Sequence, residues 1–263
     1  MKTLQRTAVR PEAGGEALPP VFKVFQQNNI IFRRGELSLL AATPGAGKSS
    51  LALAIAVRLG VPTLYFSADT NAHTMAMRVL AMVGGFSQAQ AEYMMSAQKE
   101  QAANILAQTS NLFWSFDSTP TLKDIDEEVA AFETQWGTSP SLIVVDNLMD
   151  VAMDGHEEFS GMRSAMKELK YLARDTNAAL LVLHHTKESY SGNPCQPRSA
   201  IQGMVNQLPA MILTAAQEQI GDDNYLCVAS VKNRYGKADP SGASYMRLLF
   251  HPESMQISDV PTP

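Results

Sequence analysis

The sequence has little cysteine, no long apolar run and no excess of positive charge. Its two cysteines, Cys195 and Cys227, are too few for a disulfide framework or a cysteine-based metal cluster. No apolar run approaches the ~20 residues that cross a membrane, and the N-terminus lacks the apolar core of a signal peptide. These absences argue against a secreted or membrane protein, and we expect a cytoplasmic one.

Charged side chains are also scarce, at 18% of the 263 residues, and the net charge is −5. Such a chain is not a general polyanion binder, so any contact with nucleic acid must be local or assembled from several copies. The hydrophobic fraction of 45% supplies a real core and excludes a disordered protein. Proline and glycine in residues 1–20 predict a flexible N-terminal arm, followed by one folded domain over residues 21–263.

Apolar runs alternate with helical patterns through most of that domain. The predicted strands are Glu36–Ala42, Pro62–Ser67, Leu112–Phe116, Ser141–Asp146 and Ala178–His184, then Ala210–Thr214, Tyr225–Val231 and Ser244–Phe250 in the tail. The predicted helices are Gly47–Leu59, Ala72–Val83, Ser87–Gln108, Leu122–Trp136 and Ser160–Asp175. Continuous apolar strands between helices predict an α/β fold with a mostly parallel sheet that is covered on both faces.

A glycine-rich segment between the first strand and the first helix has the pattern of a phosphate-binding loop. The predicted nucleotide-binding residues are Thr43, Pro44, Gly45, Ala46, Gly47, Lys48, Ser49 and Ser50. Backbone N–H groups of such a turn face phosphate oxygens, Lys48 reaches the β/γ-phosphates and Ser49 holds Mg²⁺. Ala42 replaces the first glycine of the generic pattern, and a dinucleotide motif is excluded because its third glycine would be Ser50. The segment predicts a nucleoside triphosphate site.

A magnesium carboxylate is predicted at Asp146, which ends the apolar run Leu142–Asp146. A buried parallel strand delivers its last residue to the edge of the sheet where ligands of open α/β folds bind. A turn or helix-capping aspartate after a core strand is the alternative. Ser49 and Asp146 together form the predicted metal site.

Taken in order, these motifs and several others resemble the ATPase domain of DnaB-like replicative helicases, in the RecA-like P-loop group. The resembling segments are Ala41–Ser49, Phe66–Thr70, Met77–Ala81, Asp117–Pro120, Leu142–Asp146, Leu169–Arg174, Ala179–His185 and Lys232–Gly236. The resemblance runs from about Val21 to His251, and the ordered succession is more specific than any one motif. The family's phosphate loop tolerates alanine at the place of Ala42.

The resemblance implies a RecA-like ATPase domain with an antiparallel C-terminal extension to its sheet. It also implies a function in DNA replication: ATP hydrolysis with Mg²⁺ at the subunit interfaces of a hexameric ring that moves along single-stranded DNA, with other replication proteins as possible partners. The family's N-terminal domain has no counterpart ahead of Val21, so we expect a stand-alone, phage-type version.

The resemblance also gives roles to two side chains at strand ends. Asp69 takes the place of the family's catalytic acid, usually Glu, which orients the attacking water. Aspartate is one methylene shorter, so its carboxylate falls about 1.5 Å short, and we expect either slow turnover or a relay through a water molecule. His185 takes the place of the γ-phosphate sensor. A plain strand-end aspartate and a hydrogen-bonded core histidine remain the alternatives.

Lys232 and Arg234 match the family's C-terminal Lys-x-Arg-x-Gly hairpin. In the family these cations reach the γ-phosphate of the neighbouring subunit and neutralise charge in the transition state. On this interpretation the protein is not catalytically complete as a monomer. Two solvated loop cations are the alternative.

Contact with DNA is predicted for two sets of basic residues. Lys187 and Arg198 lie in the polar segment Thr186–Ser199, whose composition suits a loop that lines the channel of a RecA-like ring. The second set is a stripe on the predicted helix Ser160–Asp175, formed by Arg163, Lys167, Lys170 and Arg174. A solvated helix face explains this stripe equally well.

Two other functions fit the same fold. One is a DNA nuclease whose metal ligands come from Asp69, Asp146, Asp150, Asp154, His156, His184 and His185, although no known nuclease spacing is present. The other is a recombinase-type filament or clock-like assembly that uses ATP binding as a switch without unwinding DNA.

Overall fold

The structure, a computed structural model, describes residues 15–152, 158–187 and 192–261. Within these ranges nine strands form one sheet in the order β3-β2-β4-β5-β1-β6-β7-β8-β9. The strands are β1 (Leu37–Ala42), β2 (Thr63–Ser67), β3 (Leu112–Ser115), β4 (Leu142–Asp146), β5 (Ala179–His185), β6 (Met211–Ile220), β7 (Asp223–Asn233), β8 (Tyr245–His251) and β9 (Gln256–Asp259). The first six strands in this order (β3, β2, β4, β5, β1 and β6) pair in parallel with their neighbours. Strands β7, β8 and β9 then extend the sheet by antiparallel pairing. The predicted α/β fold is confirmed.

Helices cover both faces of the sheet. They are α1 (Lys23–Gln27), α2 (Lys48–Leu59), α3 (Ala72–Gly84), α4 (Gln88–Ala97), α5 (Lys99–Leu106), α6 (Leu122–Trp136) and α7 (Glu158–Thr176). Successive residues of β1 serve opposite faces: Leu40 joins the core beneath α1, α2 and α3, whereas Leu39 joins the core beneath α6 and α7. Because both faces are buried, all six residues of β1 are buried, which explains the continuous apolar run in the sequence.

The prediction of one helix over Ser87–Gln108 is wrong. The chain leaves the helical conformation at Gln98, where φ is −128° and ψ is 50°, and forms α4 and α5 separately. Met94 of α4 and Ala102 of α5 then share a small core with Leu80 of α3. One straight helix of that length would extend about 30 Å and carry its second half away from α3.

The start of the described chain lies against the body of the domain. Ala17 forms an antiparallel bridge with Arg33, and Leu18 is buried. The backbone N–H groups of Lys23 and Val24, at the start of α1, donate to the carboxylate of Asp259 at 3.0 and 2.9 Å. Residues 1–14 of the predicted arm lie outside the described residues, and the boundary at residue 21 stays a prediction.

The parallel strands bring their carboxyl ends to one edge of the sheet, which we call the site edge. Ala42 at the end of β1 pairs with His185 of β5, and Ser67 at the end of β2 pairs with Asp146 of β4. The segments that follow these strands therefore lie side by side. In the described ranges no helix is both long and apolar enough to cross a lipid bilayer.

Candidate nucleotide-binding site

The phosphate-binding loop joins β1 to α2 at the site edge. Gly45 and Gly47 adopt positive φ angles of 75° and 83°, which side-chain-bearing residues rarely tolerate. A Cβ atom on Gly47 would also lie 3.0 Å from Leu226 and 3.2 Å from Gln217. The Gln217 amide nitrogen donates to the Gly45 carbonyl at 3.2 Å, so β6 supports the loop from behind. The backbone therefore requires glycine at these two positions.

Lys48, the first residue of α2, lies in a buried and charged environment. Burial lowers the pKa of its ammonium, and the nearby carboxylates of Asp146, Asp69 and Asp150 oppose that effect. The Lys48 Nζ atom lies 3.4 Å from Nε2 of His185. Removing the ammonium from this cluster would leave three carboxylates without their shared cation.

Asp146 is buried between two hydroxyl groups. The Tyr65 hydroxyl, itself fully buried, donates to Oδ2 of Asp146 at 3.1 Å, and the Ser49 side chain hydrogen-bonds to the same carboxylate. Burial raises the pKa of Asp146, while these hydrogen bonds and Lys48 lower it. The structure thus brings together Ser49 and Asp146, the two side chains predicted to hold a metal, and fixes the carboxylate from behind.

Asp69 lies on the loop after β2, with its side chain exposed to the site. One of its oxygens, Oδ2, accepts a hydrogen bond of 3.1 Å from the side-chain amide of Asn147. The next carboxylate, Asp150, has a raised pKa because of its burial and the negative charge of Asp69. Asn147 and Tyr65 were not predicted from the sequence, because their partners lie 78 and 81 residues away along the chain.

The two histidines at the end of β5 have different environments. His184 is fully buried, and its Nε2 donates to the Gln202 carbonyl at 3.1 Å; burial lowers its pKa to about 4, so it is neutral at pH 7. His185 is half-buried and faces Lys48; burial and that ammonium both lower its pKa. His184 is therefore a core residue, and His185 is the histidine beside the phosphate loop.

A cleft of about 580 Å³ opens over the phosphate loop. Seven of the eight predicted nucleotide-binding residues line it: Thr43, Pro44, Gly45, Gly47, Lys48, Ser49 and Ser50. Ala46 is buried, and its N–H donates to the Thr43 carbonyl at 3.2 Å. Phe250, Pro252 and Met255 also line the cleft, as does Arg78. A lining that combines apolar side chains with a few polar groups suits a nucleobase.

Lys232 and Arg234 lie at the opposite edge of the sheet from this cleft. Strand β7 runs antiparallel to β6, so Lys232 pairs with Ile212, and the Arg234 N–H donates to the Ala210 carbonyl at 3.0 Å. Ala210 in turn donates to Leu37, the first residue of β1. The six residues of β1 separate that point from the phosphate loop by about 17 Å. Neither cation reaches the phosphate loop of its own chain.

The two cations differ in their surroundings. The Lys232 ammonium donates to the carbonyls of Asn206 and Gln207 at 3.1 and 2.8 Å. Its burial, together with the positive charges of Arg234, Arg198 and Lys170, lowers its pKa to about 8. Arg234 is exposed, and the next residue, Tyr235, anchors the turn by donating to Glu36 at 2.8 Å.

The predicted DNA-binding residues fall at two places. Lys187 and Arg198 are exposed and flank a loop whose base is closed by the bridge between Thr186 and Ile201. Thr186 donates to the Ala42 carbonyl at 3.1 Å, so the loop begins beside the phosphate loop. Residues 188–191 lie outside the described residues.

The second set lies on α7. Arg163 and Lys167 are exposed there, and the Lys167 ammonium lies 5.6 Å from the centre of the Tyr171 ring one turn further on. Lys170 is half-buried. The structure leaves both explanations of the stripe, a DNA-binding surface and a solvated face, as predictions.

Two of the nuclease candidates, Asp154 and His156, lie outside the described residues. Among the residues that are described, no group of three or more histidine, cysteine, aspartate or glutamate side chains is arranged to hold a metal ion. The described part of the chain therefore adds no support for the nuclease interpretation.

Comparison with known proteins decides the family. The model of the family described as "AAA domain" matches residues 2–190. This chain belongs to the AAA domain family. The AAA-domain chain is also 37% identical over 253 residues to the Gene 65 protein of Mycobacterium phage L5, with 94% of each protein covered. It is 38% identical to the Gene 65 protein of Mycobacterium phage D29, with 84% of this chain and 98% of the relative covered. A more distant relative is DNA repair protein RAD51 homolog 4 of Mus musculus, 26% identical over 62% of this chain and 50% of that protein.

Solved structures with the same fold include "The Structure Of A DnaB-Like Replicative Helicase And Its Interactions With Primase". Its TM-score is 0.79 at 14% identity, and the alignment covers 93% of this chain and 63% of that chain. The solved structure of another ATPase domain matches with a TM-score of 0.80 at 14% identity, over 93% and 91% of the two chains. A KaiC-like protein of Pyrococcus horikoshii matches with a TM-score of 0.61 at 13% identity, over 92% and 96%. The resemblance to DnaB-like ATPase domains is confirmed for the fold, which in this AAA-domain chain is of the RecA-like P-loop type.

Proposed function

We propose that this protein hydrolyses ATP at the interfaces of a ring of identical subunits and uses the energy to move along single-stranded DNA as a DnaB-like helicase. The observation that carries the proposal is the separation of Lys232 and Arg234 from the phosphate loop of their own chain, at the other edge of the sheet. A ring places that edge of one subunit against the site edge of the next.

The hydrolysis step uses side chains on both sides of the interface. Lys48 and the N–H groups of the phosphate loop bind the β- and γ-phosphates. Asp69 accepts a proton from a water molecule whose oxygen bonds to the γ-phosphorus. The bond from that phosphorus to the β,γ-bridging oxygen breaks, and ADP leaves with the electron pair. Arg234 of the neighbouring subunit neutralises the charge that develops on the γ-phosphate.

Ser49 and Asp146 fit a magnesium ion. A hydroxyl and a carboxylate are hard oxygen ligands of the kind that Mg²⁺ prefers. The hydrogen bond between Ser49 and Asp146 keeps these two side chains together, near the Lys48 ammonium. Held by Ser49 and Asp146, Mg²⁺ would supply positive charge that neutralises part of the charge of the nucleotide phosphates. Tyr65 keeps the carboxylate in place from the core side.

Asp69 provides the first test of this mechanism. Asp69→Asn removes the proton acceptor, and we expect the ATPase rate constant kcat to fall by about 10²-fold. Asp69→Glu restores the longer acid, and we expect turnover equal to or above that of the wild type. A steady-state ATPase assay measures kcat, and the binding of a fluorescent ADP measures nucleotide affinity. Together they separate an effect on catalysis from an effect on binding. Equal rates for Asp69→Asn and wild type would remove Asp69 from the mechanism.

Binding to single-stranded DNA tests the loop between Lys187 and Arg198. Each of Lys187→Ala and Arg198→Ala is expected to reduce the slope of log K against log salt by about 0.7, because one phosphate contact is lost. Fluorescence anisotropy with a labelled oligonucleotide at several salt concentrations measures that slope. Lys23→Ala, at an exposed position at the start of α1, is the matched control. An unchanged slope in both loop variants would contradict a channel role for this loop.

An ATP-controlled recombinase-type or clock-like assembly is the second candidate, because RAD51 homolog 4 is among the relatives and a KaiC-like protein among the structures. Strand displacement by the purified protein, with and without ATP, distinguishes the candidates. Unwinding that requires ATP supports the helicase, ATP-dependent binding without unwinding supports the assembly, and strand cleavage supports the nuclease.

A further inference from the structure

Asn147 is a buried polar residue directly after Asp146, with 4% of its surface exposed. Its side-chain Nδ2 donates to Oδ2 of Asp69 at 3.1 Å, although the two residues lie 78 positions apart in the sequence. The mechanism given above assigns a role to Asp69 and to Asp146, and none to the Asn147 amide that hydrogen-bonds to Asp69.

The orientation of the Asn147 amide is fixed by its other contacts. The side-chain oxygen accepts a hydrogen bond of 2.8 Å from the Met149 N–H, so the amide nitrogen must face Asp69. The Asn147 backbone N–H donates to Oδ2 of Asp150 at 3.3 Å, which closes the short 3₁₀ turn Leu148–Asp150 onto the end of β4. The amide is therefore a rigid donor on the buried side of the site.

Asp69 itself lies on an exposed loop, where a carboxylate has several accessible rotamers. A single fixed donor on Oδ2 selects one rotamer and leaves the other oxygen, Oδ1, available to a water molecule. A carboxylate that must accept a proton from water at a defined position gains from this restriction, because misplacement by ~1 Å costs about 10²-fold in rate.

We infer that Asn147 is a positioning residue, which holds Asp69 in the rotamer that orients the attacking water. The inference rests on the catalytic role proposed for Asp69. Asn147 does not contact the nucleotide in this mechanism; it acts through Asp69.

The test is a double-mutant cycle between Asn147 and Asp69, read as kcat for ATP hydrolysis. Asn147→Ala removes the donor, and we expect kcat to fall about 10- to 100-fold while ADP affinity and KM stay within about twofold. Asn147→Asp keeps the shape, removes the donor and adds a negative charge beside Asp69, so we expect a loss at least as large. In the Asp69→Asn background, Asn147→Ala is expected to cause no further loss, since the residue through which it acts is already disabled.

Asn111→Ala is the matched control. The Asn111 amide donates to the Val61 carbonyl at 2.9 Å near the start of β2, at the edge of the sheet away from the cleft. Its removal costs a comparable hydrogen bond, so kcat should not change even where the melting temperature falls. If Asn147→Ala fails to fold, as judged by circular dichroism, Asn147→Asp carries the test because it preserves the packing.

The outcomes separate the inference from the function on which it rests. A wild-type kcat in the folded Asn147 variants, or losses that multiply in the double mutant, overturns the positioning role while the role of Asp69 stands. A wild-type kcat in Asp69→Asn overturns the catalytic role of Asp69 and the positioning role with it. A large loss in both single variants with no further loss in the double mutant supports both.

Discussion

Lys48→Ala is expected to lower the ATPase rate by about 10³-fold while the protein still folds. The ammonium is the cation that the phosphate loop presents to the nucleotide, and the loss of one such preorganised charge or donor typically costs 10² to 10³ in rate. The fold should survive because alanine favours the helical conformation at the start of α2, and because burial already disfavours the charged lysine.

The measurement for Lys48→Ala is steady-state ATPase activity, accompanied by circular dichroism to verify folding. Lys99→Ala, at an exposed lysine of α5, is the matched control and should retain wild-type activity. Wild-type turnover in a folded Lys48→Ala protein would contradict the assignment of the phosphate loop.

Arg234→Ala is expected to lower the ATPase rate by 10³-fold or more, since a transition-state arginine typically contributes about that much. Mixed with Lys48→Ala, it should regain measurable activity. Each proposed interface joins the phosphate loop of one subunit to the Arg234 turn of the next, so some interfaces in a mixture contain both intact partners. Neither variant alone forms such an interface.

The control for the mixture is the double variant Lys48→Ala/Arg234→Ala, which carries neither an intact phosphate loop nor Arg234 and therefore cannot restore an interface when mixed with either single variant. Light scattering on a sizing column, with ATP and DNA present, should show a shift to a ring; we expect a hexamer from the resemblance. A monomer with full activity and no recovery on mixing would contradict the ring, and the ATP-switched assembly or the nuclease would then take precedence.

Much of the fold could be predicted because burial on both faces is visible as continuous apolar sequence. The end of β4 at Asp146 and the loop before Lys48 could be predicted because neighbouring residues in the sequence determine the strand, the turn and the start of the helix. The break at Gln98 has no such local cause: α4 and α5 separate so that both pack against α3, which is a tertiary effect. Strand β9 was missed because only Ile257 of its four residues is buried.

The site was predictable where a residue acts through its own position in a motif, as Lys48, Ser49 and Asp146 do. Tyr65 and Asn147 act through partners that are distant in the sequence, and no spacing rule identifies them. Lys232 is a third case. Its motif can be recognised in the sequence, but only the structure shows that its ammonium donates hydrogen bonds to the carbonyls of Asn206 and Gln207. Which interactions it makes in an assembled ring depends on the neighbouring subunit.

The position of β1 has a consequence for synthesis on the ribosome. The strand before the phosphate loop pairs with β5 on one side and β6 on the other, and both follow it by more than a hundred residues. Until β5 and β6 have left the exit tunnel, the apolar β1 has no strand partner, and an unpaired apolar strand is prone to aggregate. Fragments that end before Ala215 should therefore be poor substitutes for the whole chain, even when they contain every residue of the phosphate loop.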